Sequence, residues 1–84
     1  MNPRVKNAEY LLGNKLKIEF RNGECKIFDF SSYLEYPVFG PLADPEFVKT
    51  LTVQQGTVCW GNEIDFDPDT LYLDSTPLME FQAD

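Results

Sequence analysis

Acidic side chains recur at every second position in the run WGNEIDFDPDTLY, as Glu63, Asp65, Asp67 and Asp69. Carboxylates spaced in this way are what a calcium loop of the EF-hand type presents at its positions 1, 3 and 5. Such a loop also requires glycine at position 6 and a bidentate glutamate at position 12. Counted from Asp65 those positions hold Thr70 and Thr76, and Pro68 stands where the loop would turn. The pattern predicts no specific metal site; weak, unspecific binding of divalent ions fits it better than a calcium loop does but would mean little for function. Two carboxylates could also serve as the acid and base of a glycosidase, but that chemistry needs a cleft wide enough for a sugar, which 84 residues rarely enclose. A hydrolase built on Asp65 or Glu63 is the weakest functional option.

Other catalytic chemistry is poorly provided for. The chain has no histidine, and its two cysteines, Cys25 and Cys59, belong to no CxxC pair. A structural zinc site lacks ligands, and a cysteine nucleophile lacks its usual base. Both thiols are predicted to be small core hydrophobes. The five glycines are isolated turn residues and form no phosphate loop. The expectation is a protein without catalytic residues, metal or cofactor.

A strand explains the acidic spacing more economically. Alternation puts Ile64 and Phe66 on one face and Glu63, Asp65 and Asp67 on the other. Asp67 then caps a helical turn that Pro68 begins, and Asp69 complements the dipole of that turn.

The elements that must carry this stretch begin with VKNAEYLL, a first strand with Val5, Ala8, Tyr10 and Leu12 as its apolar positions, closed by Gly13-Asn14. KLKIEF alternates cleanly and runs into Asn22-Gly23, a strong short hairpin signal because a type I′ turn needs positive φ at both central residues. A two-residue turn there pairs Phe20 with Cys25, Glu19 with Lys26 and Ile18 with Ile27, so one face collects Ile18, Phe20, Cys25 and Ile27. In DFSSYLEYP, Asp29, Ser31 or Ser32 can cap a short helical turn that Pro37 stops. Asp44, Pro45 and Glu46 open a short helix near residues 44–50. LTVQ-QG-TVCW reads as a second hairpin, with Leu51, Val53, Val58 and Trp60 on one face. The fold class is therefore α+β: antiparallel hairpins with one or two short helices in a single domain, residues 1–84, with partial disorder expected in the weakly specified tail after about residue 76.

Charge is unevenly distributed. Residues 1–26 carry six basic groups against three acidic ones, whereas residues 27–84 carry Lys49 alone against eleven acids, within a total of −7. Nucleic-acid binding rests on basic groups neutralising phosphates and is not expected here. A basic protein partner suits the acidic half better. The opening MNPRVKNAEY lacks the apolar core of a signal peptide, and no run approaches the roughly 20 apolar residues of a membrane span. The expectation is a cytoplasmic protein with reduced thiols and no membrane attachment. Aromatic residues are plentiful, most of them predicted core, and YLEYPVFGPL is where an exposed apolar patch with Tyr36 and Phe39 is expected.

In order along the chain, LKIEFRNGECKIFDFSSYL, VFGPLADPEFV and VCWGNEIDFDPDTLY resemble the small prokaryotic family catalogued as domain of unknown function 2442. The resemblance covers roughly residues 5–75. It rests on Asn22, Gly23, Glu24, Phe28, Asp29, Phe39, Leu42, Phe47, Trp60, Asp65, Pro68, Leu71 and Tyr72 in one order. It implies a compact α+β domain with no established activity. Its relatives occur alone, ahead of a helix-turn-helix domain, or encoded beside small toxin-like proteins. The residues after 75 are too few for a helix-turn-helix, so direct DNA binding is not expected of this chain.

Residues and resemblance together lead to a non-enzymatic interaction or regulatory domain, an antitoxin-like partner of a basic toxin-like protein. Its interaction surface is expected at Glu63, Asp65, Asp67, Asp69, Tyr36 and Phe39, with Asn22, Gly23, Asp29, Trp60 and Pro68 structural. The alternative is a small-ligand or sensory domain with a pocket lined by Trp60, Tyr33 or Phe39.

Overall fold

Three strands follow directly from the alternating segments: β1 (Val5–Leu11), β2 (Lys15–Phe20) and β3 (Cys25–Asp29). The computed structural model that establishes them describes residues 2–61 and 64–78. β1 and β2 pair antiparallel, with Ala8 opposite Ile18 and Tyr10 opposite Leu16. A β-bulge between Val5 and Asn7 lets Val5, opposite Phe20, share the inner face with Ala8 and Tyr10. Leu12, expected among the apolar positions of the first strand, lies instead in the turn and is 85% exposed. Gly13 and Asn14 both take positive φ there and reverse the chain.

The β2–β3 hairpin forms, but one residue away from the predicted register. Ile18 faces Lys26, Leu16 faces Phe28 and Glu19 faces Cys25. The loop has three residues, Arg21-Asn22-Gly23, closed by Phe20 N–H donating to the Glu24 carbonyl at 2.8 Å and Gly23 N–H to the Phe20 carbonyl at 3.0 Å. Gly23 sits at φ 92°, the left-handed residue that ends a three-residue hairpin loop. Because side chains alternate with period 2, this slip exchanges faces on β3. Phe28 and Lys26 turn inward, while Cys25 and Ile27, expected with Ile18 and Phe20, lie on the outer face.

The second hairpin has the predicted register. β4 (Thr52–Gln54) pairs with β5 (Thr57–Trp60), Val53 opposite Val58, across Gln55-Gly56. Both loop residues have positive φ, 54° and 79°, as a two-residue turn of this kind requires. A Cβ at position 56 would also come within 2.9 Å of the Arg4 side chain, so glycine permits close approach there as well. β6 (Ile64–Asp65) completes a three-stranded sheet in the order β4-β5-β6.

Between the sheets the chain runs through two 3-10 helices, Ser31–Glu35 and Pro37–Ala43, and then α1 (Pro45–Val48). Pro37 does end the first of these, but it also opens the second, which the sequence reading did not anticipate. Asp44 caps α1 by accepting from Glu46 N–H at 3.0 Å. After β6 comes α2 (Pro68–Leu73), then β7 (Thr76–Pro77), which pairs with β3 and makes the first sheet four-stranded, β1-β2-β3-β7. β6 is thus not the last strand. Of the weakly specified tail, Thr76 and Pro77 are ordered by β3, and residues 79–84 lie outside the described residues.

The core fills the space between the sheets. Leu16, Ile18, Phe20 and Phe28 come from the four-stranded sheet, and Val58, Trp60 and Ile64 from the other. Phe66, Leu42, Val48 and Leu71 close it from the connecting segments. Burying side chains of this size contributes about 1.5–3 kcal/mol each. The Trp60 indole N–H donates to the buried Val48 carbonyl at 3.0 Å and so pins α1 to β5. Among the described residues no helix is long and apolar enough to cross a membrane.

Candidate functional site

The acidic run is built as its alternation predicts. Asp65 faces Cys59 and Ile64 faces Trp60 across β5 and β6. Ile64 and Phe66 are buried, while Asp65 and Asp67 are exposed. Asp67 accepts from Asp69 N–H at 3.0 Å and caps α2, where Pro68 needs no donor of its own. Asp69, in the first turn, accepts weakly from the Asn2 side-chain amide at 3.4 Å. The three aspartates therefore fall in two neighbourhoods. Asp65 shares the outer face of its sheet with Thr57 and Cys59, and borders a shallow hollow with Gln54 and Gln55. Asp67 and Asp69 stand at the start of α2. Glu63 lies outside the described residues. Among the described residues no three cysteine, aspartate or glutamate side chains are grouped to hold a metal ion.

Tyr36 and Phe39 belong to a different corner, organised by Tyr33. The Tyr33 ring lies 5.3 Å from Phe66, 5.8 Å from Phe39 and 6.4 Å from Tyr36, centroid to centroid. Phe39 is half-buried and stacks flat on Phe66 at 4.7 Å and 5°, so much of its ring surface is spent inside the domain. Tyr36 is 57% exposed and Val38 56%. The Tyr33 hydroxyl donates to Asp74 Oδ2 at 2.9 Å. Burial first, then the Asp74 carboxylate, push this phenol above its ordinary value. Trp60, Tyr33 and Phe39 are thus each engaged with Phe66, and Tyr33 also with Phe39.

A third cluster escaped the sequence reading because of the register slip. Glu24 Oε1 accepts from the Tyr72 hydroxyl at 2.6 Å, across 48 positions of chain, and from the Asn22 side-chain amide at 2.5 Å. The Tyr72 hydrogen bond above all, then Asn22, holds this carboxyl below its usual range, and the same bond raises the Tyr72 phenol. Lys26, 8% exposed, extends over the Tyr72 ring with Nζ 3.9 Å from the centroid and donates to the Tyr72 carbonyl at 2.7 Å. Phe20 meets the same ring edge-on at 5.0 Å. The available signal was the glycine in Arg21-Asn22-Gly23-Glu24, equally suited to close a three-residue loop.

A family model described as "Protein of unknown function (DUF2442)" matches residues 5–77. The chain belongs to this family. No curated protein and no solved structure matches it. In this member of the family, residues that carry the resemblance hold the fold together. Asn22 and Gly23 lie in the hairpin loop, and Glu24 just after it accepts from both Asn22 and Tyr72. Asp29 accepts from Ser31 N–H at 2.9 Å at the entrance to the first 3-10 helix; burial alone would raise its carboxyl, but the Ser31 hydrogen bonds and Lys15 outweigh it and lower the value. Trp60 bonds Val48, Pro68 starts α2, and Leu71 is fully buried beneath it.

Proposed function

We propose that this domain works by binding another protein, as the antitoxin-like, non-enzymatic member of a cytoplasmic two-protein system with a basic partner. One observation supports this reading most. Among the described residues after 26, only Asp29 and Glu46 have a lysine or arginine within ion-pair distance, at 4.0 and 3.0 Å. Glu35, Asp44, Asp65, Asp67, Asp69 and Asp74 do not, and all are exposed. Carboxylates concentrated in this way raise the encounter rate with a basic protein and disfavour acidic ones. The antitoxin-like role rests on the genomic setting that the resemblance implies. Co-expression with the product of the adjacent gene tests it: a shared peak in size exclusion is expected, and separate elution removes the main support.

A small-ligand or sensory role is the second reading. It draws on a hollow of about 390 Å³ on the first sheet, lined by Asn7, Ala8, Glu9, Lys17, Glu19 and Cys25. That hollow mixes charged and apolar lining, and none of Trp60, Tyr33 or Phe39, the aromatic residues expected to line a pocket, borders it. A thermal-shift screen against charged metabolites is the matching test.

A further inference from the structure

Exposed carboxylates favour a basic partner, but electrostatics alone does not seat one. Seating requires apolar area and directional contacts in one place. Two of the large apolar side chains most exposed to solvent, Tyr36 and Val38, are two residues apart, flanking Pro37 at the junction of the two 3-10 helices. A third, Leu73, is 67% exposed and precedes Asp74. The Tyr33 side chain joins these segments, its ring 6.4 Å from Tyr36 and its hydroxyl bonded to Asp74.

From this corner, and resting on the protein-binding reading above, we infer that the surface formed by Tyr36, Val38, Leu73 and Asp74 receives a segment of a protein partner that carries arginine next to an apolar side chain. The chemistry matches at each point. Tyr36 offers an accessible aromatic face on which a guanidinium stacks. Asp74 presents a second carboxylate oxygen beside the one that Tyr33 occupies, and Glu35 supplies another carboxylate directly before Tyr36. Arginine suits this pairing of ring and carboxylate better than lysine, whose compact ammonium keeps its water more tightly. Val38 and Leu73 provide apolar area for the neighbouring side chain. Tyr33, which links Tyr36 to Asp74, is itself held edge-on against Phe39 and Phe66, so this link is in place before binding.

The test is a backbone amide NMR titration of the full chain with a short synthetic peptide containing Leu-Arg-Trp-Arg-Leu. Shifts concentrated in residues 33–39 and 73–74 are expected. Tyr36→Ala should weaken binding at least tenfold, Tyr36→Phe should retain it, and replacing both peptide arginines by lysine should weaken it severalfold. Shifts centred on residues 65–69, shifts spread along the basic strands, or affinity unchanged in Tyr36→Ala would each overturn the inference. The adjacent gene product is absent from this titration. A shared peak in co-expression combined with a failed titration therefore removes the surface assignment alone, whereas separate elution removes the parent reading.

Discussion

At the scale of single residues, Glu24 and Tyr72 carry the most testable chemistry. The folded state lowers the Glu24 carboxyl from its ordinary value near 4.5, so its contribution is fully present above that value. It is lost as pH falls through the lower, folded value. Tyr72 is raised from its ordinary value near 10.0, so its contribution is present below pH 10 and is lost as pH rises through the folded value. Urea midpoints followed across pH should decline at both extremes, and Tyr72→Phe should flatten both declines while keeping the ring beneath Lys26. Unchanged pH limbs in that variant would mean the bond contributes nothing. Gly23→Ala should cost about 1–2 kcal/mol, because φ 92° is strained for any residue with a Cβ. Gly40→Ala, with open space and no positive φ, should be close to neutral by the same urea titration. At this scale the acidic run was well legible: Ile64 and Phe66 inward, Asp67 as cap and Pro68 as first helical residue all follow from alternation and local hydrogen bonding. The Glu24–Tyr72 bond was not, because nothing local links positions 48 apart.

Among the elements, the two hairpins show why one register can be read and another cannot. Gln55-Gly56 admits a two-residue turn with both φ positive, and Val53 falls opposite Val58 as expected. Asn22-Gly23 suits that turn too, but also the last two positions of a three-residue loop. The core decides between them by taking Phe28 inward and closing it on Phe66 at 5.1 Å. That decision depends on a segment nearly 40 residues away. β7 was illegible for a simpler reason, since two residues carry no period and Thr76-Pro77 is a strand only because β3 offers an edge. The caps, by contrast, are local and were plain in Asp44-Pro45 and Asp67-Pro68. Asp67→Ala should therefore lower stability by about 1 kcal/mol, read as a shifted urea midpoint, through the lost bond to Asp69 N–H. Asp65→Asn, on the solvent face of β6 and capping nothing, should leave that midpoint nearly unchanged. Equal losses in the two variants would contradict the division between capping and exposed carboxylates.

For the whole molecule, packing is concentrated where the sheets meet, and the excess of carboxylates lies after residue 26. Phe66 is central to that packing, since it contacts Phe28, Tyr33, Phe39 and Trp60. Phe66→Ala should cost about 3–5 kcal/mol and loosen the corner bearing Tyr36, visible as a lower melting temperature and faster amide exchange in residues 33–39. The α+β class, the hairpins and the direction of the charge asymmetry were all available from the chain alone. How the candidate residues divide was not: Asp65, the start of α2 and the Tyr36 corner are three separate places, and only the packing of the two sheets separates them. The proposed function rests on exposed carboxylates of residues 27–84 meeting a basic protein. Its most direct test is calorimetric titration of the domain with the adjacent gene product at increasing ionic strength. Tight binding that weakens steeply as salt rises is the predicted result, and no binding at low salt, or affinity indifferent to salt, would contradict it.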